Sequence, residues 1–580
     1  MPRGIMSGNR TRLLAVVCVG IMAIFIVRLF YLQVIDHETY VSLANQEQLK
    51  RLVIPAARGE IYAMDAETPV KLVLNETVYT VFVDPQVVTK PKEVIETIRS
   101  VAGGNARDDL EKLVGKKDSR YQIVATKVTR KQAELTKKHK LAGLGFQATS
   151  QRVYPEAQLA AQTLGFVNAE DKGQYGVEGY LNDRLTGEDG VLQSVTDVSN
   201  VPLTIGRHNI NQPAKNGDNI VLTIDRNIQS YTEKALADGL ARTGATNGSA
   251  IIMDPQTGKI LAMANLPTYQ PAEFTKVTDA EAFNNGVVTR PYEAGSVFKT
   301  FTVSTGLDTG VIQPNSTYVN TDSIKVEDRV ISNAARGHTG TITIQDALNY
   351  SLNTGMVTIA QRLGDGSQIT KGARDTIYRY YHDKFGLGEL TGVEVSGESA
   401  GRVISPEEEG GNAVQYATMV FGQGLDVTMV QVAAGFSAMV NGGTYYSPTV
   451  IGGVMDSNGT LKPAPIKPAR EGIITQDTST KLRQMTHEAR QLFPPGDRPG
   501  YYIGGKTGTS QTLDANGKYR FDQTIGTYLG FGGSEESSKY VIMVQVSGKN
   551  MNLEGNIHAK PIFTDISNWM LDYMKLQPKG

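Results

Sequence analysis

Ser249-Ala250-Ile251-Ile252-Met253-Asp254-Pro255-Gln256-Thr257-Gly258-Lys259-Ile260-Leu261-Ala262-Met263-Ala264 decides the fold of the larger part of this chain. Its first six residues read as a buried strand, Pro255–Gly258 as a turn, and Lys259–Ala264 as the returning strand of a hairpin. Just before it, Ile224–Arg242 has helical periodicity, with Asp225 in the N-cap position. Near the C-terminus, Tyr528-Leu529-Gly530-Phe531 and Tyr540–Val546 read as two more strands, and Ile562–Leu576 as a closing helix. Strands at both ends of a unit with helices between them predict one antiparallel sheet whose termini meet, an α+β arrangement.

Between those ends lie three short motifs. Ser296-Val297-Phe298-Lys299 is the only Ser-x-x-Lys in the chain, and the residues from Ser296 to Val303 are compatible with a helix. On a helix, positions i and i+3 share a face, so Lys299 can reach the Ser296 hydroxyl while Phe298 turns into the core. A serine near a helix start also has free backbone N–H groups beside it, which suit a developing oxyanion. Together they describe a serine acyl-transferase whose general base is lysine.

Such a base must be neutral, which at pH 7 costs about 4.6 kcal/mol from an unperturbed pKa of about 10.4. Burial and a second cation both lower a lysine's pKa. Lys506, in Gly504-Gly505-Lys506-Thr507-Gly508-Thr509, is the candidate second cation, and a substrate carboxylate would then neutralise it. This stretch suits a sheet edge, with Lys506 and Gly508 on one side and Thr507 and Thr509 on the other. Gly508, having no side chain, would let a peptide lie alongside as an added strand. Ser351-Leu352-Asn353 would close the pocket, Ser351 relaying a proton and Asn353 holding a substrate carbonyl. By itself this last motif reads more readily as a loop or a helix cap.

Composition is that of a globular protein: 580 residues, 40% hydrophobic, 20% charged and a formal net charge of −1. The basic residues are balanced and scattered, which argues against nucleic-acid binding. The seven histidines form no His-x-x-x-His pair, so no metal site is expected. The single cysteine, Cys18, cannot form an intrachain disulfide.

Cys18 lies in the apolar run Leu13–Leu32, which Arg28 alone interrupts and which supplies the ~20 residues a bilayer span needs. Arg3, Arg10 and Arg12 precede the run while Asp36 and Glu38 follow, predicting a cytoplasmic N-terminus. The run is long for a signal peptide and no Ala-x-Ala site follows it, so it reads as an uncleaved anchor. Arg28 can snorkel or pair with a partner helix.

Beyond the anchor, Glu38–Leu52 reads as a helix, Ile54–Tyr62 as a strand broken by a turn, and Val78–Val83 as a strand. Lys90–Val114 and Thr129–Leu141 are amphipathic helical stretches, while Arg152–Pro155 and Gly176–Gly179 open short elements. The polar stretch Asn209–Asp218 reads as a linker. The expected organisation is a tail at 1–12, an anchor at 13–33, an elongated mixed α/β pedestal at 34–210 and a catalytic domain at 211–580.

With these motifs in this order, the chain resembles the penicillin-binding proteins, the serine D,D-transpeptidases of peptidoglycan synthesis. The resemblance extends to the hairpin 253–264, to Phe421-Gly422-Gln423-Gly424-Leu425-Asp426-Val427-Thr428, and to Val440-Asn441-Gly442-Gly443. Arg58-Gly59-Glu60-Ile61-Tyr62 and Gly176-Val177-Glu178 are similar to pedestal signatures of the class B branch. It implies a penicillin-binding/β-lactamase-like domain in which Ser296 is the nucleophile acylated by a stem peptide's D-Ala-D-Ala and Lys299 the base. Ser351 and Asn353 would assist, Lys506, Thr507 and Thr509 would bind the terminal carboxylate with Gly508 also in the substrate-binding strand, and the N–H groups of Ser296 and Thr509 would form the oxyanion hole. An acceptor stem amine would complete the cross-link, β-lactams would acylate the same serine, and no cofactor is implied.

Implied partners are a polytopic glycan polymerase and divisome membrane proteins. The 422–428 stretch looks more like division-type members than elongation-type ones. A β-lactamase or β-lactam sensor, and a non-catalytic divisome component, use the same fold and stay as alternatives. Two departures stand out: Ala294 where the family usually has proline, and Ala63-Met64-Asp65-Ala66 where it usually has Asp-Arg-Asn-Gly.

Overall fold

The computed structural model describes residues 7–40, 49–195, 210–493, 496–514 and 518–578. They belong to two compact units, Met1–Arg58 with Thr186–Gly217, and Gly59–Leu185 with Asp218–Gly580.

In the first unit, the helix Ser7–Phe30 continues through a π turn at Tyr31–Ile35. Residues Asn9–Ile35 have a mean hydropathy of 2.8 over their most apolar stretch, long and apolar enough to cross a membrane, and none of that stretch is buried. Arg28 places its guanidinium 5.6 Å from the centre of the Tyr31 ring. Arg3, in the expected tail, lies outside the described residues, as do residues 41–48 in the middle of the helix expected at 38–52. The end of that helix is instead a strand: Leu49–Ile54 pairs antiparallel with Gly190–Val195. A partner strand overrides the local helical preference there. Ile210–Gln212 adds to the other side of Gly190–Val195, and Lys215 exchanges backbone hydrogen bonds with Glu188. The stretch expected as a linker, whose Asn209 is outside the described residues, is thus tied down by sheet pairing.

The second unit holds a seven-stranded sheet in which Asn219–Asp225 lies between Ile61–Asp65 and Ile451–Met455, with Thr68–Val83, Gln122–Thr129 and Leu144–Val153 beyond Ile61–Asp65. The helical stretch expected over 90–114 is split into Pro91–Ala102 and Leu110–Gly115 by a turn at Gly103–Asn105. Three stretches singled out in the sequence meet at one buried ion pair. Arg152 donates to Glu178 at 2.7 Å, to the Gly59 carbonyl at 2.7 Å and to Asn75 at 2.9 Å. Both charged side chains are nearly inaccessible, so removing either partner should cost about 3–5 kcal/mol.

The predicted antiparallel sheet has five strands. Its elements are β1 (Asn247–Met253), β2 (Ile260–Leu266), β3 (Tyr502–Leu513), β4 (Tyr519–Gly533) and β5 (Ser538–Ser547), in the spatial order β2-β1-β5-β4-β3. Ala250 faces Ala264 across the first hairpin and Val544 on its other side, so the N- and C-terminal strands do meet. Both faces are covered. Ile251, Met253, Met263, Leu529 and Met543 enter one core, and Ala250, Ile252, Ala264, Ile542 and Val544 another. That double burial is why these strands read as continuous apolar runs rather than alternating ones.

The second core is closed by α1 (Arg226–Thr243) and a helix at the C-terminus, Lys560–Tyr573. Asp225 caps α1 as predicted, accepting from the N–H groups of Asn227 at 2.9 Å and Ile228 at 3.0 Å. The first core holds α2 (Lys299–Asp308), α3 (Asn353–Leu363) and α4 (Met429–Val440), the last buried at every position. The C-terminal helix is α5.

Candidate active site

Ser296 sits on a single 3-10 turn, Gly295–Phe298, that runs straight into α2, whose first residue is Lys299. Side chains at i and i+3 eclipse in a 3-10 turn, so serine and lysine share a face even more directly than on an α-helix. Phe298 is fully buried, stacked 4.9 Å from Phe301, and Ser296 is half-buried at the surface of the turn.

The turn is wedged against β3, the edge strand of the sheet. A side chain at Gly508 would come within 2.9 Å of the Ala294 carbonyl and 3.0 Å of a Val297 methyl. The glycine therefore admits the nucleophile's own turn on that side of the strand. Gly295 has φ +61° and donates its N–H to the Gly422 carbonyl at 3.0 Å, fixing the turn to the loop at 421–428. Glu293 binds the same loop: its Oε1 accepts from Gly424 N–H at 2.7 Å and from the Tyr519 hydroxyl at 2.8 Å. Burial pushes the Glu293 carboxyl above its usual range.

Lys299 is 0% exposed. Its Nζ donates to the Ser351 carbonyl at 2.5 Å and to the Ser351 hydroxyl at 3.1 Å, and among the described residues no hydrogen bond joins it to Ser296. Ser351 has φ +58°, in the left-handed region, between the helix Ile344–Asn349 and α3. Asn353 is the first residue of α3, and its Nδ2 donates to the Ser332 carbonyl at 2.9 Å. One of its donors is therefore spent on the protein.

Lys506 lies on β3, nearly fully buried, and donates to the carbonyl and hydroxyl of Thr507, both at 3.2 Å. Burial brings its pKa down to about 7. Lys299 is held well below the ordinary lysine range, first by burial and then by the charge of Lys506. The two effects named from the sequence both operate, and desolvation is the larger.

A cleft of about 380 Å³ is lined by Ser296, Ser351, Asn353, Thr507 and Thr509, with Lys299 and Lys506 bonded to its wall residues. The structure thus brings all three motifs together. It also adds residues the sequence reading missed: Tyr350, Phe421, Gln423, Gln511, Glu554 and Asn556. Phe421 and Gln423 belong to a quoted stretch, whereas Glu554 and Asn556 come from a segment with no local signal. Thr509 is held by Gly555 N–H, which donates to its hydroxyl at 3.3 Å. Among the described residues no group of three or more His, Cys, Asp or Glu is placed to hold a metal ion. A serine and a buried lysine that favours its neutral form, with a second lysine across one cleft, can carry nucleophilic acyl transfer to a substrate bearing a carboxylate.

The family model described as penicillin binding protein transpeptidase domain matches residues 248–568, and that described as penicillin-binding protein dimerisation domain matches residues 53–222. Stage V sporulation protein D of Bacillus subtilis is 30% identical over 98% of this chain and 87% of its own. Peptidoglycan D,D-transpeptidase FtsI of Escherichia coli is 26% identical over 96% of this chain and 90% of its own. The crystal structure of penicillin binding protein 2X from Streptococcus thermophilus superposes with a TM-score of 0.74 at 24% identity, covering 91% of this chain and 80% of that one, a likeness of fold.

Proposed function

The chain belongs to the penicillin-binding protein transpeptidase family, and we propose from this that it is a class B, division-type peptidoglycan D,D-transpeptidase working through a serine acyl-enzyme. The observation that carries the mechanism is the fully buried Lys299 bonded to Ser351 beside Ser296. Neutral Lys299 takes the proton from Ser296 Oγ, which attacks the carbonyl carbon of the penultimate D-alanine. The N–H groups of Ser296 and Thr509 receive the oxyanion, and charged Lys506 with Thr507 and Thr509 holds the terminal carboxylate beside Gly508. As the tetrahedral intermediate collapses, the proton passes through the Ser351 hydroxyl to the leaving D-alanine nitrogen, with Asn353 holding the substrate amide. A second stem peptide's amine then attacks the ester carbonyl and restores Ser296. β-Lactams enter the same path and stop at the ester.

The four-part division at 12, 33 and 210 is kept as part of this proposal, with the N-terminus cytoplasmic and the catalytic unit outside. Arg10 and Arg12 ahead of the apolar run Leu13–Leu32, and Asp36 and Glu38 after it, support that orientation. Arg28 and the 34–210 segment are the proposed contacts for a polytopic glycan polymerase and other divisome membrane proteins. Fluorescent penicillin on the folded full chain, followed by peptide mass mapping, tests the chemistry. A single adduct on Ser296, lost in Ser296→Ala, is expected; labelling that survives this substitution overturns the mechanism.

A further inference from the structure

Lys560, the first residue of α5, is 8% exposed, and its ammonium has no hydrogen-bond or ion-pair partner among the described residues. It lies 5.9 Å from the centre of the Phe493 ring. The charge of Asp497 reaches it, but with no direct partner its partly buried ammonium still bears a desolvation cost, which a bound anion relieves. The neighbouring carboxylates are already engaged. Asp497 takes Arg490 at 2.5 Å and Asp565 takes Arg242 at 3.0 Å. Burial, and then the charge of Arg490, holds Lys560 below the ordinary lysine range.

The same lysine lines a pocket of about 660 Å³ together with Arg242, Phe493, Asn556, Asp565 and Asn568. Its walls offer the Lys560 ammonium, two amides and the Arg242–Asp565 ion pair, and the unpaired ammonium is the group that suits an oxyanion. A second, water-sized cavity of about 30 Å³ shares Phe493, Asn556 and Lys560 with this pocket and reaches Lys506 and Thr507. Asn556 borders both cavities and the cleft.

We propose that this pocket is a second binding site, distinct from the cleft, for a small oxyanion (carboxylate or phosphate) held on Lys560. An anion there faces Lys506 across the small cavity and favours its charged form. Under the transpeptidase reading, on which this consequence alone rests, occupancy extends acylation to higher pH.

The test uses the full chain in detergent, titrated with inorganic phosphate and separately with acetate at ionic strength fixed by chloride, reading the melting temperature. A saturable rise is expected, with the half-saturating concentration at least tenfold higher in Lys560→Met and close to wild type in Lys560→Arg. The anion giving the lower half-saturation identifies the source as phosphate or carboxylate. No saturable rise with either, or the same rise in Lys560→Met, overturns the site. Should the methionine variant fail to fold, Lys560→Gln takes its place under the same criterion. Ser296→Ala, run in parallel, should keep the anion response. A wild-type chain that binds anion but gives no penicillin adduct would sink the transpeptidase reading and leave the site standing.

Discussion

Lys299 Nζ donates to two oxygens of one residue, the carbonyl of Ser351 at 2.5 Å and its hydroxyl at 3.1 Å. Ser351 is itself held at φ +58°, a conformation that costs a residue with a side chain roughly 1–2 kcal/mol. Strain of that kind persists where the surroundings over-determine it, and it clusters at functional sites. Here it aims carbonyl and hydroxyl at the same amine, so the base and the proposed relay are fixed together.

Ser351→Ala removes the hydroxyl and leaves the carbonyl contact to Lys299. Acylation by a fluorescent penicillin, followed by stopped flow, should slow about 10²–10⁴-fold, the range for losing a positioned proton-transfer group. Ser351→Gly should slow it equally while relieving the backbone, so its melting temperature should match or exceed that of the alanine variant. Acylation of Ser351→Ala within about threefold of wild type would remove Ser351 from the proton path.

The two lysines set a pH profile of opposite limbs. Lys299 must be neutral, so the acylation rate falls as pH drops through its depressed pKa. Lys506 must be charged to hold a carboxylate, so the rate falls again as pH rises through about 7. The second-order acylation constant, which reports the free enzyme, should be bell-shaped with its alkaline limb near pH 7. Lys506→Arg keeps its charge at any accessible pH and should abolish that limb, even where the maximal rate drops. An unchanged alkaline limb in the arginine variant would assign it to another group.

Most of this site was legible because its parts are local. Ser296 and Lys299 are one turn apart, and the strand carrying Lys506 announces itself by its glycines. Desolvation of Lys299 followed from the chemistry it must do, whereas that of Lys506, wanted only as a cation, did not. What the sequence did not disclose is non-local. Glu554 and Asn556 enter the cleft only because the segment before α5 packs back on β3, where Gly555 approaches Thr509. The close packing of the nucleophile's turn on Gly508 was hidden for the same reason, since that turn lies some 200 residues earlier. Leu49–Ile54 was lost to a partner strand near residue 190, a pairing that a local pattern does not contain.

Ala66 tests one family departure. It has φ +52° in the turn between Ile61–Asp65 and Thr68–Val83, and its N–H donates to Asp225 Oδ2 at 3.0 Å. Glycine, usual there in the family, avoids the left-handed penalty but adds chain entropy to the unfolded state. The net effect of Ala66→Gly should be a gain of about 0.5–1 kcal/mol in denaturant unfolding, with acylation unchanged. A loss of stability would mean the turn relaxes out of this conformation in solution.

Ala294 tests the other, two residues before the nucleophile. Its φ of −70° is already that of proline, and its neighbour Glu293 lies outside any helix, as a residue preceding proline prefers. No backbone hydrogen bond from Ala294 N–H is formed among the described residues, so a proline forfeits none there. Ala294→Pro should therefore stabilise the chain by about 0.4–1 kcal/mol through the unfolded state. The turn is pinned independently by Gly295 N–H on the Gly422 carbonyl and by the close approach of Gly508, so Ser296 should not move. Acylation should then stay within about twofold of wild type while the melting temperature rises. Because Ala294 is fully buried, the opposite result has a specific meaning: a lower melting temperature with slowed acylation would show that the pocket around residue 294 cannot take the ring, and that the chain has repacked there around alanine.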